Sequence, residues 1–330
     1  MDFSLRGWVE KDGRRLEQEE IQAILEQDPA GVSAFGGEFF LEWNSCRARD
    51  HFGIMPGGCP PGEIICAGRP VGKVSPAYPL MDLDRAIARA VELRRDEGVV
   101  ALSGGVDSAL VARLAGLECV VVGLPGSHDL RRARLAARSL DLTLHEVLID
   151  PAELEPALAA VLPLIPDKDP VNASIAATLF FVCRWAGDQG VECILAGQGA
   201  DELFAGYFRY LHTATLAEDM ERDFLALPRQ LSRDQAVAGL FEAYFSLPYM
   251  DCRVVRAARA IPAEMLIVDG VRKRPLREVA ARHLPESIAW QEKKAMQYGS
   301  GVMREIERLA ARRGYRKELQ GYLKDICNKL

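Results

Sequence analysis

The sequence lacks any uninterrupted apolar run of the roughly 18 residues that a membrane-spanning helix requires. Its first residues, MDFSLRGWVEKDG, have no apolar core, so they predict no secretory signal. A basic excess is also missing, because 41 Lys and Arg residues stand against 47 Asp and Glu residues, a formal net charge of −6. No positive field would attract nucleic-acid phosphates. The composition therefore argues against membrane and nucleic-acid partners.

Closely spaced cysteines are absent as well. Eight cysteines are present, but none forms the CxxC spacing typical of zinc and redox motifs. Several lie in apolar runs such as ECVVV at residues 118–122, where a free cysteine behaves as a small hydrophobic residue. We therefore expect unpaired thiols and a cytoplasmic location, where the environment is reducing.

The chain has the composition of an ordinary globular protein, with 49% hydrophobic and 27% charged residues. Its 330 residues are enough for about two domains. Repeated proline and glycine residues between about 56 and 80 mark a seam. We therefore predict a small, β-rich N-terminal part at residues 1–75 and a larger part at residues 76–330.

After the seam, short apolar runs alternate with helical patterns. Strands are predicted at residues 99–102, 119–124, 143–149 and 192–195, and helices at residues 109–115, 129–140 and 175–186. This alternation predicts a parallel sheet that helices cover on both faces. Beyond about residue 208 no strand pattern of comparable strength occurs, so we expect a helical C-terminal portion.

The first candidate site is the hexapeptide SGGVDS at residues 103–108, between the first predicted strand and its helix. Glycines let the backbone approach an anion closely, and the helix start directs its N–H groups and positive dipole end to the same place. Ser103 and Ser108 add hydroxyl donors, and Asp107 can hold the Mg²⁺ that accompanies nucleotide phosphates. No lysine follows the glycines, which excludes the GxxxxGK[ST] loop.

A second constellation, AGQGADELFAGY at residues 196–207, follows the fourth predicted strand. Gly197 and Gly199 again permit close backbone approach. A solvated acidic loop would not need these glycines. Asp201 would meet Asp107 where neighbouring strands end, and two such carboxylates suit a nucleotide-bound Mg²⁺.

The hexapeptide resembles the pyrophosphate loop of the N-type ATP pyrophosphatases. Together, both segments resemble the synthetase domain of the asparagine synthetase family, which includes the β-lactam synthetases. Further matching segments are VGLPGSHD at 122–129, LPYMD at 247–251, GVRKRPLR at 270–277 and LPESIAWQEK at 284–293. The resemblance covers about residues 81–303.

The resemblance implies a doubly wound parallel sheet of the adenine nucleotide alpha-hydrolase type, with ATP and Mg²⁺ as cofactors. The family adenylates a carboxylate, releases pyrophosphate and lets an amine displace AMP. By position, the resemblance assigns adenosine contacts to Leu102, Val122, Gly123 and Gly197, pyrophosphate contacts to Ser103, Gly104, Gly105 and Ser108, and Mg²⁺ to Asp107 and Asp201. Lys293 would also contact the nucleotide and neutralise charge on the departing phosphates. Lys293, Gln198 and Asp107 are thus the expected catalytic residues.

The N-terminal segments GEFFLEW (37–43) and RARDHFGIMP (47–56) resemble the end of a class II glutamine amidotransferase domain. In that domain the nucleophile is the cysteine after the initiator Met, whereas this chain begins Met1-Asp2. We therefore expect a truncated remnant without a nucleophile. Neither Cys46 nor Cys59 has neighbours that would activate a thiolate. Free ammonia or another amine would then be the nitrogen source, with a second copy of the chain or a separate ammonia-supplying protein as a candidate partner.

The chain departs from the family at the acceptor side. Gln198 replaces a glutamate that is thought to shuttle a proton, and β-lactam synthetases have tyrosine there. A glutamine cannot take a proton at neutral pH. Tyr244 and Ser246 replace the carboxylate and the guanidinium of the family's ExRxPFLD segment. Because an arginine fork is the usual grip on a carboxylate, the loss at Ser246 points to a different acceptor.

Three functions stay open. The first is an AMP-forming amide ligase that acts on a small carboxylate and an amine. The second is an adenylating enzyme for another acceptor, either a metabolite or a modified nucleoside. The third is a catalytically silent ATP-binding protein. Acceptor-dependent release of pyrophosphate distinguishes them.

Overall fold

The computed structural model describes residues 3–291, 296–316 and 318–328. The strands are β1 (Phe3–Lys11), β2 (Arg14–Arg15), β3 (Gly36–Trp43), β4 (Cys46–Arg49), β5 (Glu63–Cys66), β6 (Arg69–Lys73), β7 (Val99–Ala101), β8 (Cys119–Gly123), β9 (Leu144–Leu148), β10 (Cys193–Leu195), β11 (Tyr244–Ser246), β12 (Ile267–Val268) and β13 (Val271–Arg272). The α-helices are α1 (Gln18–Gln27), α2 (Leu83–Glu92), α3 (Val106–Ala115), α4 (His128–Leu140), α5 (Leu154–Val161), α6 (Pro170–Asp188), α7 (Ala200–Leu203), α8 (Leu216–Ala238), α9 (Cys252–Arg259), α10 (Arg274–Ala280), α11 (Glu286–Ala289), α12 (Met296–Gly299), α13 (Val302–Arg312) and α14 (Leu319–Asn328). Among these described residues, no helix combines the length and apolar character needed to cross a membrane.

The parallel sheet has the strand order β11-β10-β7-β8-β9, and all of its paired strands are parallel. Core residues of α2, α3, α4 and α9 belong to one buried cluster, and those of α5, α6, α8 and α13 to another. The order reverses between β7 and β10, and this switch point is where open sheets of this kind bind ligands. The predicted doubly wound α/β fold is confirmed.

The N-terminal sheet, formed by β1 to β6, is antiparallel with the order β2-β1-β3-β4-β5-β6. Successive side chains of a strand point to opposite faces. In β3, Phe39 and Leu41 join the cluster that contains Ile21 and Leu25 of α1, whereas Phe40 belongs to a separate small cluster. The N-terminal sheet thus has its own apolar core on one face and turns the other face to the rest of the chain.

A network of buried ion pairs joins the N-terminal sheet to the rest of the chain. Arg94, after α2, contacts Glu38 of β3 at 2.9 Å and Asp251 at 3.1 Å. Arg253, at the start of α9, pairs with Asp251 at 3.1 Å and with Glu10 of β1. All five side chains are at least 95% buried. Removing one partner of a buried ion pair strongly destabilises a protein, because the other charge stays in the interior without its partner. This network therefore fixes how the N-terminal sheet packs on the rest of the chain.

Two elements differ from the sequence-based expectation. The strand β11 was missed, because Tyr244–Ser246 is only three residues long, contains a serine and is soon followed by Pro248. It pairs with β10 as a fifth parallel strand. Helix α3 begins at Val106 and not at Ala109, so Asp107 and Ser108 lie in its first turn. Tertiary pairing, which no local pattern reports, decides the first difference. The second follows from the N-cap of α3, which is Gly105.

One pair of cysteines contradicts the expectation that all thiols are unpaired. Cys46 and Cys66 form a disulfide, because they lie directly opposite each other in the register of β4 and β5. Their separation of 20 residues hides this pairing from a search for CxxC motifs. The free cysteines in the described part of the chain are Cys59, Cys119, Cys183, Cys193, Cys252 and Cys327.

The buried Asp50 leads to a prediction about pH. Its carboxylate accepts the N–H groups of Ile54 at 2.8 Å and Met55 at 2.9 Å, but burial dominates and raises its pKa to about 6. Because the folded pKa lies above the unfolded one, the protonated form stabilises the fold, and this stability is lost as pH rises through about 6. We expect the titration of Asp50 to lower the free energy of unfolding by roughly 3 kcal/mol in total as the pH rises from the acidic range to neutral.

Urea unfolding of the wild type and of Asp50→Asn at about pH 5 and about pH 7.5 measures the part of this contribution that falls between these two values, roughly 1.4 kcal/mol. The variant should show the weaker pH dependence, since its amide does not titrate. An equal change of unfolding free energy in both proteins would contradict the assignment to Asp50.

Candidate functional site

The carboxyl ends of β7 and β10 bring the two predicted loops together. The strands are hydrogen-bonded neighbours, with Ile194 opposite Val99 and Leu195 opposite Val100. The SGGVDS loop leaves β7, and the segment that enters α7 leaves β10. A Cβ atom on Gly197 would lie only 3.1 Å from the Cβ of Asp107, which shows how closely the two loops pack.

The SGGVDS loop is closed by its own serines. The Ser108 hydroxyl accepts the N–H of Ser103 at 3.2 Å and lies 3.1 Å from the Ser103 hydroxyl. Gly104 has a φ of +75°, and a Cβ there would lie 2.4 Å from the backbone carbon of Arg132. Only glycine fits this position. With Gly105 as the N-cap of α3, the N–H groups of the first turn, which have no acceptor within the helix, face the loop.

The predicted adenosine residues lie along the same edge of the sheet. Leu102 follows β7, Val122 and Gly123 end β8, and Gly197 follows β10. Leu102 and Val122 are at least 95% buried. These two residues can therefore offer a ligand mainly backbone groups, while their side chains fill the core.

A lysine that the sequence analysis did not single out lies between the two predicted metal ligands. The Lys273 ammonium donates to Asp107 Oδ1 at 2.7 Å and lies 2.6 Å from Asp201 Oδ1. The side chains of Lys273 and Asp107 are each 4% exposed, whereas that of Asp201 is 24% exposed. One cation thus already joins carboxylates from two neighbouring strand ends.

The backbone around Lys273 is fixed on both sides. Before it, β12 and β13 form a short hairpin, and Arg272 donates to the backbone oxygen of Gly206. After it, the buried Arg277 donates to the backbone oxygens of Ala289 at 2.7 Å and Gln291 at 2.9 Å. Lys273 itself has a φ of +59°. This left-handed conformation costs a lysine roughly 1–2 kcal/mol, and such residues concentrate at functional sites.

Gly206 makes room for the contact between Lys273 and Asp201. A Cβ atom at position 206 would lie 2.0 Å from Asp201 Oδ1 and 2.3 Å from Lys273 Cε. We expect Gly206→Ala to displace both side chains and to lower the free energy of unfolding by about 1–3 kcal/mol. Gly239→Ala is the matched control, because nothing lies within 4 Å of a Cβ there. Similar urea midpoints for the two variants would show that the ion pair tolerates the added methyl group.

The donor set fits a nucleotide-bound Mg²⁺. Mg²⁺ is usually held by one or two carboxylates together with waters and substrate phosphates. Asp107 and Asp201 supply two such carboxylates, close enough for one atom to contact both. Within residues 3–291, 296–316 and 318–328, no group of three or more His, Cys, Asp and Glu residues could hold a metal ion. The site therefore suits an ion that arrives with phosphate ligands.

Gln198 leads from this site to a buried polar cluster. Its side-chain amide donates to Asp234 Oδ2 at 3.3 Å. Asp234 accepts a further hydrogen bond from Arg233 at 2.8 Å, and Arg233 also donates to Asn172 at 2.5 Å. Arg233 and Asp234 are at least 95% buried. The glutamine, which cannot titrate, is thus backed by a carboxylate that does not come from its own loop.

A second buried carboxylate follows Asp201 directly. Glu202 is 4% exposed, and burial raises its pKa, as does the nearby charge of Asp201. The hydroxyl of Tyr207 donates to Glu202. Burial also raises the pKa of Tyr207, so this phenol stays protonated and continues to donate. Glu202 is held by protein groups, whereas Asp201 keeps an exposed side.

The remaining candidate residues are Ser246, Tyr244 and Lys293. Ser246 is fully buried, and its hydroxyl donates to Glu38 Oε2 at 2.5 Å. Tyr244 starts the same strand, at the opposite end of β11. The Ser246 side chain points to the N-terminal sheet. The expectation that the lost guanidinium at Ser246 points to a different acceptor stays a prediction. Lys293 lies outside the described residues.

Gln291, the last described residue before Lys293, contacts the SGGVDS loop. Gln291 donates to the backbone oxygen of Gly104 at 3.3 Å and accepts a hydrogen bond from Arg132 at 2.6 Å. Residue 291 is therefore held beside the loop that follows β7. Neither contact could be predicted from sequence, since each joins residues more than 150 positions apart.

Comparisons with known proteins agree with this geometry. The model of the asparagine synthase family matches residues 82–247 and 227–324. A protein of Methanocaldococcus jannaschii named "Putative asparagine synthetase (glutamine-hydrolyzing) 1" is 31% identical over 283 residues, which are 72% of this chain and 52% of that protein. Asparagine synthetase B (glutamine-hydrolyzing) of Escherichia coli is 28% identical over 229 residues, 62% of this chain and 41% of that protein. The chain thus spans about half the length of the curated relatives it matches or less.

Among solved structures, the NH3-dependent NAD synthetase from Campylobacter jejuni is 15% identical with a TM-score of 0.34, and the match covers 76% of this chain and 94% of that one. The family match includes both loops and the segment that carries Lys273. Since it covers well over half of the sequence, the chain belongs to the asparagine synthase family.

Proposed function

We propose that the chain is an ATP-dependent ligase that joins a carboxylate to an amine and releases AMP and pyrophosphate. The observation that carries this proposal is the convergence of Asp107 and Asp201 on one cation position beside the SGGVDS loop. Two carboxylates, a glycine-rich anion loop and a helix start at the switch point of a parallel sheet are the parts that binding of a metal nucleotide requires.

Each part of the site has a distinct task in this proposal. The SGGVDS loop and the start of α3 hold the pyrophosphate end of ATP, while Leu102, Val122, Gly123 and Gly197 border the adenosine. Asp107 and Asp201 hold Mg²⁺, which neutralises phosphate charge when it is bound. The substrate carboxylate oxygen attacks the α-phosphorus, and the bond to the pyrophosphate oxygen breaks. Lys293 is proposed to stabilise the charge that develops on the leaving group.

The amide-forming step would use Gln198 as a positioning residue. Its amide nitrogen donates to Asp234, so its carbonyl oxygen can accept a hydrogen bond from the attacking amine. The amine displaces AMP from the acyl adenylate, and the proton that it loses passes to the departing AMP phosphate or to water. Asp234, paired with Arg233, would hold the glutamine in one orientation and need not take that proton itself.

We also propose that free ammonia or another amine, and not glutamine, supplies the nitrogen. A glutamine-hydrolysing cysteine must react as a thiolate. Burial raises the pKa of Cys119 to about 12 and of Cys193 to about 11, and it also raises those of Cys59, Cys183 and Cys252. Cys46 is in the disulfide. Residues 1–75 would then form an amidotransferase-like remnant that packs on the synthetase part.

A substrate screen tests the proposal. The purified chain with Mg·ATP is incubated with pairs of small carboxylates and amines, and AMP, pyrophosphate and the amide are measured. Stimulation by aspartate with ammonium would identify asparagine formation, and stimulation by another pair only would identify a different acceptor. ATP binding without product from any pair would overturn the ligase proposal. Glutamate released from glutamine in step with AMP would overturn the proposed nitrogen source.

A further inference from the structure

We infer that Lys273 is an internal cation that occupies the metal position of the Asp107–Asp201 pair until a metal nucleotide displaces it. The inference rests on the proposed function only in the identity of the displacing ligand. It starts from one contact: a single nitrogen joins carboxylate oxygens from two neighbouring strand ends, at 2.7 and 2.6 Å. A divalent ion held by both aspartates would make the same connection.

The electrostatic balance explains why a cation belongs there. Asp107 is almost completely buried, and Asp201 lies beside it with one exposed side. Two carboxylates that share a site repel each other, and a buried charge without a partner is strongly destabilising. The Lys273 ammonium offsets one of the two negative charges. It therefore keeps the site folded when no metal is present.

Lysine and metal cannot occupy this position together. Mg²⁺ would contact the two carboxylate oxygens at roughly 2.0–2.1 Å. An ammonium within 2.7 Å of the same oxygens fills the space that the ion needs. Two adjacent cations would also repel each other. Metal binding through both aspartates therefore requires the ammonium to move.

The local structure restricts this movement to the Lys273 side chain. Its backbone is held between Arg272, which donates to Gly206, and Arg277, which donates to the backbone oxygens of Ala289 at the end of α11 and of Gln291 after it. The lysine stem is long and flexible, so the ammonium can move without the backbone. Phosphate oxygens that enter with the ion would offer it a new anionic partner. Metal and nucleotide are thus expected to bind together, and metal alone only weakly.

Metal binding without nucleotide tests the inference. Mn²⁺ is titrated into the nucleotide-free full chain, and free Mn²⁺ is followed by electron paramagnetic resonance. We expect Lys273→Met to bind one Mn²⁺ at least ten times more tightly than the wild type. Lys73→Met, on the exposed strand β6, is the matched control and should behave as the wild type. The double variant Lys273→Met/Asp201→Asn should lose the gain, because one of the two carboxylates that would hold the ion is removed.

Thermal unfolding gives a second readout. Without metal, Lys273→Met should melt at a lower temperature than the wild type, because the carboxylate pair has lost its contacts with the Lys273 ammonium. Added Mn²⁺ should raise its midpoint but leave that of the wild type nearly unchanged. Lys273→Gln, which is also neutral but polar, serves if the methionine variant does not fold.

Two results would overturn the inference. One is tight binding of Mn²⁺ by the nucleotide-free wild type, which would show that the lysine does not exclude the ion. The other is equal Mn²⁺ affinity in the wild type and the Lys273 variants. These outcomes are independent of the ligase proposal. A chain that forms AMP but shows equal affinities keeps its proposed function and loses this inference, whereas a chain without product but with tighter Mn²⁺ binding in the variants does the opposite.

Discussion

Asp201→Asn should reduce pyrophosphate release with Mg·ATP by roughly 100- to 1000-fold, the usual loss when a charge-stabilising group of an active site is removed. The side chain keeps its size but loses the negative charge that holds the metal nucleotide. Asp201 is 24% exposed, so the fold should tolerate the change. Asp107 is a less selective target, since its side chain is only 4% exposed and a change there is more disruptive to the fold.

The control for this prediction is Asp96→Asn, an exposed aspartate between α2 and β7. It should release pyrophosphate at the wild-type rate. Both variants should retain the wild-type circular dichroism spectrum. Wild-type turnover by Asp201→Asn would show that this residue has no role in the site. It would also contradict the proposed metal position between the two loops.

Arg94→Met should lower the free energy of unfolding by about 3–5 kcal/mol. Arg94 is 99% buried, and its guanidinium donates to Glu38, to Asp251 and to the backbone oxygen of Ala90. Methionine leaves Glu38 and Asp251 in the interior with one cation fewer. The guanidinium also lies 4.8 Å from the Trp8 ring, a contact that the thioether replaces only in part.

The neighbouring Arg95→Met makes the same change in charge and shape at an exposed position. It should alter the free energy of unfolding by less than about 0.5 kcal/mol. Urea denaturation at neutral pH compares the three proteins. A difference of less than 1 kcal/mol between the two variants would mean that the buried network adds little to stability, in the range expected for exposed pairs.

Much of the parallel sheet could be predicted from sequence because its central strands are continuous apolar runs. The strands β7, β8, β9 and β10 all lie within the predicted segments. The edge strand β11 was not predicted, because Tyr244–Ser246 becomes a strand only through its pairing with β10. A local signal did exist for the hairpin of β12 and β13, since an Asp-Gly pair, Asp269-Gly270, lies between its strands and is typical of tight hairpin turns.

The two loops of the candidate site could be predicted from sequence, because both carry glycine patterns. Both loops were placed at strand ends, and the structure brings Asp107 and Asp201 onto one cation. Lys273 was missed because it lies 166 residues from Asp107 and its partner depends on the fold of the C-terminal portion. For a related reason, the contact of Ser246 with Glu38 was not predicted. Its family position was recognised, but the direction of its side chain depends on the pairing of β11.

The segment from Ser246 to Asp251 serves both sheets at once. Ser246 donates to Glu38 of the N-terminal sheet, and the Tyr249 hydroxyl donates to the backbone oxygen of Asp107 at 3.0 Å. An engineered chimera that exchanges residues 1–75 for a related sequence would therefore alter the packing of the segment that contacts the SGGVDS loop. Such a graft should remain stably folded only when the incoming module restores the carboxylates at positions 10 and 38, which makes these two side chains the compatibility requirement for recombination.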